Sequence, residues 1–330
     1  MTNVLLRNDE IELSIDVDNG AAFTGLSRVG GSNVLACRTW ETPAPPSSSR
    51  SYGDDTSDFL AAYPGGWHVL FPNAGDACDV LGVHLPFHGD TARARWRVVS
   101  VDRASVLLRC PTRLPVILER RVVLRDSAVV VEETARSDAP FDVPVIWGHH
   151  PIFSARPGMR IDLPGGSVDV PADRPATPVT DLHPGTSGDW PRGVGYDGFV
   201  DLSTVPDGPV ERFANISAIP APWAALRDPA SGDGVALSWD AGTFGNLWIW
   251  LQVGGAEFPW FGRASYIGIE PQSAPNSRGL ASAMADGHAL SVPAGGSLSS
   301  WMTVALFTAD ERQVVDVSRH GEVSRREPML

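Results

Sequence analysis

Four residues whose types suit proton transfer lie in segments that carry more glycine, aromatic and polar residues than a plain strand or turn requires. His88 stands between Phe87 and Gly89 in the stretch from Leu85 to Trp96, and His149 and His150 follow Trp147-Gly148. Glu270 ends an apolar run, Ile267-Gly268-Ile269, just before Pro271, which predicts a half-buried carboxylate at a strand end. A fourth segment of this kind runs from Pro64 to Asp76. A lone histidine in a β-protein more often serves structure than chemistry, because its ring hydrogen-bonds so readily. Together, a neutral imidazole and a carboxylate that face one another form an acid and base pair near neutral pH.

The composition narrows the chemistry further. The 330 residues contain no lysine, which removes Schiff bases, pyridoxal phosphate anchoring and the phosphate-loop lysine. A mechanism must then draw on His, Asp, Glu, Arg, Tyr or water. A net charge of -13, with the arginines scattered, disfavours nucleic acid and anionic membranes as partners and is indifferent to a neutral polyol. Cys37, Cys78 and Cys110 are odd in number and lack metal-type spacing, and the chain start has neither a basic region nor a long apolar core. The expectation is a soluble cytoplasmic protein, monomer or homodimer, with no cofactor and no metal. The metal alternative, a divalent ion held by His88, one of the paired histidines and Asp90 or Glu270, matches no known ligand spacing. His68, His84, His183, His288 and His320 read as structural or surface residues.

The elements that must position these residues are strands. Ile11, Leu13, Ile15 and Val17 alternate up to the turn signal Asp18-Asn19-Gly20, closing a hairpin that begins at Val4. Similar runs recur at Trp96 to Val101, Ser105 to Leu108, Val116 to Leu124, Ala128 to Thr134, Val143 to Trp147, Arg160 to Leu163, Val235 to Trp239, Leu247 to Leu251 and Trp301 to Phe307. Short strands at close spacing, broken by Gly, Pro, Asp and Asn, predict an all-β sandwich or barrel with few short helices, residues 1–330 forming a single domain. Thr42 to Tyr52 and Pro171 to Gly193 read as two long loops, and the last 12 or so residues have the composition of a disordered tail. Neighbours on a strand point to opposite faces, so His149 and His150 cannot share one role.

At these residues the sequence resembles the galactose mutarotase-like, or aldose 1-epimerase, superfamily. Gly65-Gly66-Trp67-His68-Val69-Leu70-Phe71-Pro72-Asn73 is similar to the family's Gly-Gly-x-x-x-x-Phe-Pro segment, and Phe87-His88-Gly89, followed by Trp96, to its first histidine-glycine motif. His150-Pro151-Ile152-Phe153 resembles the His-Pro-Tyr-Phe stretch, Tyr196-Asp197-Gly198-Phe199-Val200 the Tyr-Asp-x-x-Phe-Val segment, and Glu270-Pro271-Gln272 the strand end with the catalytic base. Five motifs occur in the family's order. The chain departs from the pattern where Ala74 and Gly75 follow Asn73 in place of an arginine, where Ile152 replaces tyrosine, and where Asp90 follows His88-Gly89; Arg93 and Arg95 do not match the sugar-phosphate relatives.

The resemblance implies a large antiparallel β-sandwich and an isomerase that interconverts the α and β anomers of an aldose by opening and reclosing the ring. In that reading His150 is the acid and Glu270 the base. His88 hydrogen-bonds near the ring oxygen, Asp197 accepts from sugar hydroxyls, and Asn73 joins the substrate contacts. Trp67 and Phe71 stack on the pyranose, and His149, adjoining His150, is counted with the substrate-binding set. A sugar lyase or glycoside hydrolase on the same sandwich would need a second carboxylate near Glu270, with Asp197 the candidate. A non-catalytic sugar sensor would keep the pocket and dispense with the pair.

Overall fold

The computed structural model describes residues 3–40, 52–173 and 176–326. Strands dominate it, and every pairing between named strands is antiparallel. The alternation in Ile11–Asp16 and Val116–Arg125 buries every second side chain, as expected of strands with one face on the core. Elsewhere the alternation disappears. Gly148–Ser154, Ser265–Gln272 and Trp223–Asp228 are buried almost throughout, because both of their faces are covered.

Ten strands form one sheet in the order Asn3–Arg7, Ile11–Asp16, Ala22–Arg28, Trp67–Leu70, Gly148–Ser154, Ser265–Gln272, Asn246–Val253, Val210–Ser217, Ser167–Asp169 and Ser187–Asp189. Eight form the other, from Arg160–Asp162 through Trp223–Asp228, Asp233–Trp239, Ser297–Thr308, Ala128–Ser137, Val116–Arg125 and Ser105–Pro111 to Arg97–Val101. One apolar cluster draws on both sheets, Ile15, Trp67 and Ile269 from the first and Leu118, Val131 and Val304 from the second. This is the all-β sandwich expected from the strand pattern.

A polar knot sits inside that core. Arg120 and Glu133, both from the eight-stranded sheet, pair at 2.6 Å with their side chains fully buried. The guanidinium lies 5.1 Å from the Phe23 ring and 5.7 Å from that of Trp96, and Glu133 accepts the Trp147 indole N–H at 2.9 Å. A charge pair so far from water is tolerated only when hydrogen bonds and ring faces replace its hydration.

The described helices are two short ones, α1 (Asp55–Ala62) and α2 (Gly279–Ala285). Pro171 to Gly193 is more structured than a loop. Ser187–Asp189 extends the ten-stranded sheet, and Arg192–Gly195 begins a hairpin with Gly198–Asp201. The chain end, expected to be a tail, forms a hairpin of Val314–Val317 with Val323–Arg325, and residues 327–330 lie outside the described residues. Positions 42–51 of the first long loop lie outside them as well.

Candidate active site

The register of the ten-stranded sheet puts the acid and base candidates side by side. Gly148 pairs with Gln272 and Ile152 with Gly268, which sets His150 opposite Glu270 on the neighbouring strand. On the far side of His150 stands His68, and beyond Glu270 stands Trp248. Four strands therefore contribute one cross-strand row, all on one face. His150 Nε2 is 3.8 Å from Glu270 Oε2, too far for a direct hydrogen bond. Gly268 makes room for the carboxylate, since a Cβ there would lie 2.3 Å from Glu270 Oε1.

Two further segments close over this row. The α1 turn ends in Tyr63, whose hydroxyl is 3.3 Å from His150 Nδ1. With the phenol as donor, the imidazole proton sits on Nε2, which faces the carboxylate. The second segment carries His88, which adopts a φ of 64° and is followed by Gly89 at 75°, where a Cβ would lie 2.6 Å from the carbonyl oxygens of Phe71 and Asn73. A left-handed histidine is an uncommon conformation held by its surroundings. Here the Gly75 N–H donates to His88 Nδ1 at 3.0 Å, which leaves the proton on Nε2, and the ring lies 5.3 Å from that of His150.

A cavity of about 630 Å³ opens over the row. His88, His150 and Glu270 line it together with Tyr63, Phe59, Phe87, Phe213, Trp248, Trp250, Trp260 and Gln252. Burial governs its electrostatics. Loss of water, reinforced by the neighbouring His68, pushes His150 down to about 3, so the resting ring is neutral. Burial likewise lowers His68 to about 4 despite the carbonyls of Gly65 and Ala92 beside it. Tyr63 is held well above its ordinary value by burial and then by the Glu270 charge, so it stays a donor.

Of the residues singled out from the sequence, His88, His150 and Glu270 come together in the cavity and the other five do not line it. His149 points to the core face, where its Nδ1 accepts the Trp67 indole N–H at 3.2 Å and its Nε2 lies 3.4 Å from Glu133. Trp67 and Phe71 are fully buried, packed on Phe23 and Trp147 respectively, and so present no face to a sugar. Asn73 is committed to structure: its amide donates to the Asp76 and Pro86 carbonyls, and its carbonyl accepts the Leu280 N–H. Asp197 is exposed at the tip of the Arg192–Gly195 and Gly198–Asp201 hairpin. Of the two carboxylates in the metal alternative, Asp90 is engaged elsewhere: it accepts the Arg113 N–H and pairs with its guanidinium. Among the described residues no group of three or more His, Cys, Asp or Glu is placed to hold a metal ion.

Sequence reasoning missed Tyr63, Trp248, Trp250, Trp260 and Gln252. Three of these carried a signal, since Trp248 and Trp250 fall two apart in the recognised strand Leu247 to Leu251, and Gln252 continues the same alternation just past its expected end, so the three share a face. Gln252 is 1% exposed, and its Oε1 has no hydrogen-bond partner.

No protein-family model and no curated protein matches the sequence. Among solved structures, the chain is similar to the Slr1438 protein from Synechocystis sp. PCC 6803, with a TM-score of 0.68 and 20% identity over 93% of this chain and 96% of that one. It is also similar to a galactose mutarotase related enzyme from Lactobacillus acidophilus, with a TM-score of 0.63 and 15% identity over 94% and 99% of the two chains. A galactose mutarotase-like protein from Lactobacillus casei ATCC 334 gives a TM-score of 0.59 and 18% identity over 93% and 100%. The chain thus has the galactose mutarotase-like fold.

Proposed function

We propose that this protein is an aldose 1-epimerase, interconverting the α and β anomers of a sugar. The observation that carries the reading is the juxtaposition of His150 and Glu270, opposed in register on adjacent strands and buried beneath an aromatic cavity. Ring opening moves two protons. The anomeric hydroxyl gives its proton to a base as the bond from C1 to the ring oxygen breaks, the electron pair leaves with the ring oxygen, and an acid protonates that oxygen. Closure on the other face reverses both transfers, so one pair serves both directions.

Glu270 is assigned as the base and His150 as the acid, with His88 Nε2–H a hydrogen-bond donor to the sugar and Trp248 and Trp250 its apolar walls. Gln252 lines the cavity beside them and is a further candidate for contact with the sugar. Neutral imidazole is a poor acid, so the working form holds one more proton on the pair than the resting state. Because His150 is depressed to about 3, that form becomes more abundant as pH falls. We therefore expect kcat/KM, measured on protein shown to be folded at each pH, to rise from pH 8 toward pH 5.5.

The test follows the optical rotation of freshly dissolved α-glucose, α-galactose and other aldoses with wild type, His150→Ala and Glu270→Ala. Each variant should lose roughly 10²–10⁴-fold, the usual worth of a positioned proton transfer. Equal rates with and without protein for every aldose would remove the proposal.

A further inference from the structure

The cavity is larger than one sugar ring requires. The proton-transfer pair lies at its buried end, and the 630 Å³ above it would be only partly filled by a single pyranose. Asp76, Asp173, Glu211, Glu257 and Arg278 contribute to the lining, and one side of it is a series of rings. Trp250 lies 5.9 Å from the His150 ring and 5.7 Å from Trp260. At the mouth, Phe258 lines the cavity and stands 5.6 Å from Tyr52 and 6.2 Å from Phe261.

These last three are exposed, Phe258 to 39%, Tyr52 to 53% and Phe261 to 58%. Adjacent exposed aromatics do nothing for the core, and such a patch at a cavity mouth marks a contact surface. Phe261 also has a φ of 47°, a left-handed conformation that a bulky residue seldom adopts, so the backbone is strained to present its ring. The Arg263 guanidinium, 5.6 Å from that ring, steadies it from the side.

Building on the anomer-interconverting reading, we infer that the substrate is the reducing end of an oligosaccharide. The reducing residue sits at His150 and Glu270, and the next sugar packs its C–H face on the Phe258 ring, with the Tyr52 and Phe261 rings, tilted 47° and 76° from it, as the edges of this aromatic platform. Sugar faces are apolar and ring faces accept them without demanding particular hydroxyls, which suits recognition of chain length over sugar identity.

Two measurements separate this inference from the reading beneath it. Anomer exchange followed by NMR compares glucose and galactose with maltose, cellobiose and lactose, in wild type and in Phe258→Ala/Phe261→Ala. We expect at least one disaccharide to exceed its reducing monosaccharide about tenfold in kcat/KM, and that ratio to collapse in the double variant. A ratio near one in wild type, or one the double variant leaves unmoved, overturns the inference. Tryptophan fluorescence then follows binding of methyl β-maltoside, methyl β-cellobioside and methyl β-lactoside, which cannot open, against methyl β-glucoside. Tighter binding of a disaccharide glycoside, lost in the double variant, upholds the platform even if no aldose is accelerated and the enzymatic reading fails. Equal binding of all four glycosides overturns the platform whatever the rates.

Discussion

At the scale of single residues, the site depends on what holds His150 and Glu270 in place. Tyr63 contributes one hydrogen bond and no charge, yet that bond orients the His150 ring and, with the phenol as donor, favours the Nε2–H tautomer of its resting form. In Tyr63→Phe the ring packs as before, but Nδ1 loses its hydrogen-bond partner, so the proton of the resting ring is free to sit on either nitrogen and nothing fixes the angle at which Nε2 faces the carboxylate. We expect kcat to fall roughly 10- to 100-fold with KM nearly unchanged, the cost of a misdirected catalytic group. The ¹⁵N shifts of His150 should move from a single Nε2–H tautomer toward a mixture, and unchanged shifts would assign Tyr63 to packing alone. Gly268 makes the complementary case. Its added methyl would meet a flexible carboxylate end, with Ile152 Cδ1 at 3.0 Å, so Gly268→Ala should fold normally and displace Glu270. The expected outcome is a loss of activity close to that of Glu270→Ala at a Tm within a few degrees of wild type. A fully active Gly268→Ala would show that the carboxylate need not lie where the structure puts it.

At the scale of elements, α1 delivers Phe59 and, one residue past its end, Tyr63 to the cavity, though eight residues are too few for a helix to persist on its own strength. Its start is fixed by Asp54, which accepts the Ser57 N–H at 2.7 Å, and that N–H, followed by the Ser57 side chain, holds the Asp54 carboxyl below the usual range. Asp54→Ala should therefore leave the sandwich intact and speed amide exchange several-fold across 55–62, with a parallel fall in kcat/KM. If exchange speeds up and the rate does not change, α1 is a cover and not a support. Legibility from sequence divides along the same line. His150, Glu270 and His88 were readable because each belongs to a short contiguous motif. Trp67 and Phe71 lie in such a motif too, but there the strand and turn aim their rings at the core, and a motif names residues without naming faces. Asp197 was misplaced because its segment closes a tight hairpin away from the cavity. Tyr63 was out of reach: only tertiary packing brings the end of α1 over the Gly148–Ser154 strand, and no spacing in the sequence announces it.

At the scale of the whole molecule, stability should report the histidines that folding has taken from water. Burial holds His68 and His149 at about 4 and His150 at about 3, against 6.5 for a histidine in an unfolded chain. Between these limits the unfolded chain binds protons that the native one refuses, so the native state loses ground as pH falls below about 6.5 and stops losing it only near 3 to 4. Above 6.5 both states are neutral at these sites and the term is flat. His84 works in the opposite direction, raised by its hydrogen bonds to Asp55 and then Asp79, but it is largely exposed and water screens most of its effect. The lowered carboxyls of Asp201, Asp228 and Asp310 act mainly below pH 4. Three buried rings should thus dominate the window from 6.5 to 4.5 and cost on the order of several kcal/mol across it. Urea unfolding at pH 7.5, 6.0 and 5.0 measures this directly. The midpoint should fall progressively below 6.5, and His149→Phe, which keeps a ring among Trp67 and Phe244, should flatten the slope. His149, on the ten-stranded sheet, abuts the buried Arg120 and Glu133 pair of the other, so protons entering there would loosen the same core that holds the row of His150 and Glu270 in register. A midpoint independent of pH down to 5 would mean that these rings are reached by water, and the neutral resting state of His150 would fall with it.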